Sequence, residues 1–162
     1  RQKKVKNNYY AYLVENSWNS GSVRQRVVSY LGPLKRFNKM HSTSFKDFLR
    51  DESSDEMTYL SLVRTIVTWE LHCHGFEGNK VLSRDDIKVS LTNGNIQGKR
   101  PCVLALNGGY LYTANLRSLL KFRVPKMEKK RGYTLAKLFS DAGIQVDRNT
   151  FVTLYKKIDS DL

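Results

Sequence analysis

Between Ser53 and Gly75 the apolar side chains Met57, Leu60, Val63, Ile66, Val67, Trp69 and Leu71 recur at helical spacing. That spacing lines one face of an α-helix. Ser53 and Glu56 stand at capping-box spacing, acidic residues crowd the positive end of the helix dipole, and Gly75 offers a stop. The pattern predicts a helix from about Asp55 to His74, whose apolar stripe must be buried as the main core element. A chain of 162 residues is long enough to bury it. At this size one domain, or two small ones, hides about 68–70% of the unfolded surface without a metal or disulfide staple.

Sheet-forming sequence precedes that helix. Asn8–Val14 is rich in aromatic and β-branched residues, Asn16–Ser22 reads as a loop, and Val23–Leu31 returns as a second strand before Gly32-Pro33. Period-two alternation places Val23, Gln25 and Val27 on one face and Arg24, Arg26 and Val28 on the other. After the helix, Ser83–Leu91 reads as a capped helix, with Ser83 as cap and Asp85 and Asp86 in its first turn. Cys102–Leu106, Asn107-Gly108-Gly109 and Tyr110–Tyr112 carry the signature of a hairpin. Thr113 then caps a helix running to about Phe122. Residues 133–144 form an amphipathic helix closing on Gly143, and Asp147 caps a last helix bearing Phe151, Leu154, Tyr155 and Ile158.

The expected fold is therefore α+β: an N-terminal antiparallel β-hairpin, a long core helix, a central hairpin–helix unit and a C-terminal helical pair. Residues 1–37 would make a basic hairpin module and residues 38–162 a mainly helical α+β domain.

Charge then narrows the function. Lys and Arg number 28 against 15 Asp and Glu, a formal net charge of +13. Residues 1–50 hold eleven cations against Glu15 and Asp47, whereas residues 51–79 hold six acids against Arg64. Arg117, Lys121, Arg123, Lys126, Lys129, Lys130 and Arg131 form a second basic block, relieved by Glu128. A basic–acidic–basic order suits one side facing a polyanion, with the acidic helix at 51–79 turned away and open to a protein partner. Tyr9, Tyr10, Tyr12 and Trp18 offer stacking surfaces if the ligand has unpaired bases.

Two stretches resemble known families. Asn7–Glu15, a Tyr-rich strand ending in Leu13-Val14-Glu15, leads to a strand with Arg24-Gln25-Arg26 that ends in Tyr30-Leu31-Gly32. Together, over residues 3–34, they resemble the N-terminal hairpin of DDE-type insertion-sequence transposases. The resemblance implies a DNA-associated accessory module with Arg24 and Arg26 on its working face. It does not imply transposition, because the rest of the chain shows no acid triad. Residues 134–158, with Ala142-Gly143-Ile144 before Thr150-Phe151, are similar to a helix-turn-helix. That likeness implies Arg148 and Asn149 near the major groove, with Thr150, Lys156 and Lys157 at phosphates. An ordinary helical hairpin packed on the core is the other reading.

Several classes find little support. No run approaches the roughly 18 apolar residues of a membrane span. Two cysteines, Cys73 and Cys102, do not make a secreted disulfide scaffold. His72-Cys73-His74 point in different directions and match no zinc spacing, so neither a metal nor a cofactor is expected. The first residue is Arg1, not Met, which leaves room for a preceding segment.

The expectation is a non-catalytic nucleic-acid-binding protein, cytoplasmic and nucleoid- or ribosome-associated, with double-stranded DNA preferred. Lys3, Lys4, Lys6, Lys35, Arg36 and the 117–131 block would position the backbone. Arg24 and Arg26, flanked by Tyr10 and Tyr12, or else Arg148 and Asn149, would read bases. An RNA-binding or ribosome-associated protein is the first alternative. A metal-dependent nuclease using Asp85, Asp86 and Glu77 is the second.

Overall fold

The computed structural model describes residues 1–123 and 129–160. The chain opens with β1 (Gln2–Val5), β2 (Asn8–Asn19) and β3 (Ser22–Arg36), followed by α1 (Phe45–Leu49) and α2 (Tyr59–Cys73). Next come β4 (Glu77–Gly78), β5 (Val81–Arg84), β6 (Ile87–Ser90) and β7 (Asn95–Gln97), then the hairpin β8 (Val103–Leu106) and β9 (Gly109–Leu111). Three helices follow: α3 (Thr113–Leu120), α4 (Arg131–Ala142) and α5 (Arg148–Ser160). The fold is α+β, with the N-terminal hairpin in an antiparallel arrangement.

Two sheets organise the described residues. One runs β1-β2-β3-β8-β9, and its single parallel pair, Leu34–Arg36 against Val103–Ala105, welds the N-terminal hairpin to the body. Alternation along β8 turns Leu104 and Leu106 into the main core, while Val103 meets Ala11 and Leu34 on the opposite face. The other sheet is a four-stranded antiparallel meander, β4-β5-β6-β7. The main core joins α2 (Leu62, Val63, Ile66, Val67 and Leu71) to apolar residues of that meander and of α3, α4 and α5.

Several boundaries differ from the sequence expectation. Ser83–Leu91 is a strand–turn–strand, not a helix: Asp85 turns at φ 53° and Leu82, Ile87 and Val89 alternate into the core. The two-residue period of the buried apolar positions overrode cap-like residues that serve a tight turn equally well. α2 starts at Thr58, whose hydroxyl accepts from the Ser61 N–H at 3.2 Å. Ser53–Glu56 forms its own turn instead. The N-cap of α3 is Tyr112, and the Thr113 hydroxyl is spent on the Ile96 N–H at 3.0 Å, joining α3 to β7. Residues 16–22 are not a loop either. β2 continues to Asn19, and Ser20 and Gly21, with φ of 48° and 82°, make the two-residue turn. Both central residues sit in the left-handed region, whose twist matches that of a hairpin.

The α4–α5 link carries a close approach that fixes its place. A Cβ on Gly109 of β9 would overlap the Gly143 backbone, and one on Gly143 would overlap the Leu106 carbonyl. Gly143, at φ 71°, also ends α4 in the left-handed conformation. The turn between α4 and α5 is thus seated on the β8–β9 hairpin.

Candidate nucleic-acid interface

Beyond Leu13 the β2–β3 ladder runs Val14–Val27, Glu15–Arg26, Asn16–Gln25, Ser17–Arg24, Trp18–Val23 and Asn19–Ser22. Alternation sorts these pairs into two faces. Val14, Val27, Asn16, Gln25, Trp18 and Val23 share one; Glu15, Arg26, Ser17, Arg24, Asn19 and Ser22 share the other. The first face is apolar at both ends with an amide pair between, and the second is polar and carries both guanidinium groups. Every residue from Glu15 to Tyr30 is exposed, so this segment is an arm with neither face covered. Irregularities in the ladder at Ala11/Tyr12 and Leu13/Val14 mark its root, where bulges bend and twist a ribbon. At ~3.4 Å per residue, the arm reaches roughly 20 Å beyond the second one.

A free two-stranded ribbon is marginally stable, so its root must be held. Arg1 and Tyr12 exchange backbone bonds at 2.8 and 2.9 Å, and the Arg1 guanidinium donates to Gln25 at 2.9 Å. Tyr30 stacks obliquely on Tyr12 and Tyr10, with ring centroids 5.3 and 6.3 Å away. Desolvation in this cluster, together with Tyr10 and Tyr12, pushes the Tyr30 hydroxyl above its ordinary pKa, against a smaller pull from Arg100. Tyr10 and Tyr12 are half-buried and belong to the root.

The cations of the N-terminal sheet are unevenly available. Arg26 stands 3.9 Å from Glu15, both well exposed, a pairing worth little in water. Arg24 has no carboxylate within ion-pair distance among the described residues. Lys3 and Lys4 lie on the edge strand β1 opposite Tyr10 and Tyr9, and Lys6 turns the chain at φ 54°. Arg36 is committed: its guanidinium stacks 4.9 Å from the Tyr9 ring centre and donates to Gln2. Lys35 is exposed beside it.

In the body, the fully buried Glu70 of α2 gathers four segments. Its carboxylate accepts from Asn107 Nδ2 at 2.6 Å and from the Gln145 N–H at 2.9 Å, and Lys39 Nζ stands 3.4 Å away. His74, also buried, turns Nδ1 back to the Glu70 carbonyl at 2.8 Å. Asn107 adds a bond to the Gly143 carbonyl at 2.9 Å. The acidic helix therefore does not turn all its acids to solvent: Glu70 is a structural hub.

The remaining expected contacts are dispersed. Ala114 and Ser118 of α3 border the hollow at the arm's root, while Arg117 and Lys121 lie on the adjoining face of that helix. Arg117 donates to the Asn93 carbonyl at 3.1 Å, and Lys121 and Arg123 border a hollow with Lys157. Lys129 and Lys130 are exposed, but Arg131 is buried at 6% exposure and is withdrawn from the phosphate-contacting set. Lys126 lies outside the described residues.

Arg148 and Asn149 are exposed at the start of α5. Five residues, 143–147, separate the helices, and α5 packs on α2 while α4 packs on α3 and β9. Asp147 caps α5. Partial burial raises its carboxyl pKa, but bonds from the Thr150 hydroxyl and the Thr150 and Asn149 N–H groups outweigh this and hold it below the ordinary value. A negative charge thus already occupies the end of α5 that would otherwise attract a phosphate.

His72, Cys73 and His74 diverge as a helix requires, toward the Gly78 carbonyl, the Thr43 carbonyl and Glu70 respectively. Among the described residues, no three of His, Cys, Asp and Glu gather where they could share an ion, and no helix is long and apolar enough to cross a membrane. No protein-family model, curated protein or solved structure gives a significant match to the chain.

Sequence reasoning missed Lys39, Asn107 and Gln145 as partners of Glu70. The bonds to Glu70 span 37 and 75 residues, and no local pattern announces them.

Proposed function

We propose that this protein is a non-catalytic binder of double-stranded DNA that grips the duplex with its β2–β3 arm. The observation that carries the reading is the two-sided exposure of the ribbon, with Arg24 and Arg26 side by side on one face and Lys3, Lys4, Lys6 and Lys35 behind its root along the same sheet. A two-stranded ribbon has the width to enter a major groove of about 12 Å. There the arginines would reach guanine edges or phosphates, while the lysines behind the arm neutralise the backbone. Each neutralised phosphate releases condensed counterions, which gives affinity that needs no particular sequence.

Fluorescence anisotropy with a labelled duplex, titrated at several salt concentrations, tests this. With six cations at phosphates, log affinity should fall against log salt with a slope of about −5. A flat response, or no binding at low salt, would overturn the proposal. Tighter binding of matched structured RNA would transfer the arm's role to RNA.

A further inference from the structure

We propose that the arm's tip is an apolar wedge: Trp18, backed by Val23, enters the stack between neighbouring base pairs and bends the duplex. This rests on the duplex-binding reading above and adds what the arm does to its ligand.

Trp18 is 78% exposed, more than any other large apolar side chain described, and Val23, directly across the ribbon, is 54% exposed. The pair sits one step from the Ser20-Gly21 turn, so it leads whatever the arm enters. The Trp18 side chain makes no hydrogen bond, aromatic contact or cation contact within the chain, among the described residues. A large aromatic side chain left in water at the end of a ribbon is unfavourable unless a partner covers it.

Charge identifies that partner. The opposite face of the same ribbon carries Arg24 and Arg26, and up to Arg36 the chain holds eight Lys and Arg against Glu15 alone. A nucleic-acid duplex offers both apolar area and anionic charge within the thickness of one ribbon, with base faces inside and phosphates outside. Side chains inserted at a base step unstack it and kink the helix, which lets more of the duplex meet the protein. The ribbon's construction suits insertion. The two-residue turn keeps the tip narrow, and the Asn16–Gln25–Arg1 bonds stiffen the segment behind it.

The test uses the full chain and a short duplex with a fluorophore pair at its ends and 2-aminopurine near its centre. Wild-type protein should bring the ends closer and brighten the 2-aminopurine as it unstacks. Trp18→Ala, at a residue whose side chain makes no hydrogen bond or ring contact with the rest of the described fold, should keep the salt slope, lose about tenfold in affinity and lose the bend. Trp18→Phe should restore it. Binding without bending, or a Trp18→Ala complex that bends as the wild type does, overturns the wedge and leaves the duplex-binding reading standing. Absence of duplex binding overturns both. Stronger indole quenching by a matched single strand would show stacking on unpaired bases, and a dimer in the free protein with a blue-shifted indole would show a second copy covering the tip. Either result also overturns the wedge.

Discussion

The sequences of the arm and the C-terminal helical pair both raise the expectation of a DNA-binding element, yet the fold treats them differently. Residues 15–30 of the arm are exposed throughout, with Arg24 and Arg26 on one face and Trp18 at the end. The helical pair is tied down: Gly143 lies in backbone contact with β9, α5 packs on α2, and Asp147 fills the helix end that would face a phosphate. An element that must enter a groove needs reach and free donors, and an element that closes a core needs neither. Likeness of sequence does not separate the two; burial and capping do.

Substitutions at three places separate the arm from the body. The largest effect falls on the body. Glu70→Ala removes a buried carboxylate and strands Asn107, the Gln145 N–H and Lys39. It should cost about 3 kcal/mol of stability in a denaturant titration, the low end of the range because Lys39 is partly exposed. Duplex affinity below the unfolding midpoint should be unchanged; if it falls with stability, body and arm are not independent.

Next comes charge reversal. Arg24→Glu with Arg26→Glu should weaken duplex binding tenfold or more, about 1.4 kcal/mol, with no change in stability. Lys156→Glu with Lys157→Glu on α5 should have a smaller effect. An equal loss from the two pairs would return the helical pair to the interface.

The smallest effect is the cap. Asp147→Ala should cost about 1 kcal/mol. Because hydrogen bonds hold the Asp147 pKa below its unfolded value near 3.9, its contribution is complete above that pH and disappears as pH falls through the folded value. Wild type and variant should therefore converge in strong acid. A difference that persists there would show that the side chain acts through packing instead of through its charge.

Much of the body was legible because its signals were local. The stripe through Val63, Ile66, Val67 and Leu71, the Asn107-Gly108 turn, the Gly143 stop and the Asp147 cap each depend on a few adjacent residues and appear where the pattern predicts an element, although Met57 precedes α2, Leu60 is exposed, and Tyr59 and Leu62 share the buried face instead. The β5–β6 turn was not legible, since Ser83, Asp85 and Asp86 satisfy a helix start and a tight turn alike. Nor was the outer half of β2: a strand exposed on both faces has no core to impose alternation, so Asn16, Ser17 and Asn19 look like loop, whereas the facing half of β3 is read correctly from Val23 onward. The parallel pairing of Leu34–Arg36 with Val103–Ala105 joins segments about 70 residues apart and leaves no trace in either. In the candidate interface, alternation placed Arg24 and Arg26 together correctly. Counting cations could not distinguish exposed Lys129 and Lys130 from buried Arg131, because burial of a long side chain is decided by distant helices.

The most direct examination of the arm's role is an amide chemical-shift map of the isotope-labelled chain as a short DNA duplex is added. The account predicts that the largest changes cluster between Leu13 and Leu31, with weaker ones along Lys3–Lys6 and little across residues 131–160. Changes concentrated at Arg148–Lys157, with the ribbon's signals unmoved, would contradict it.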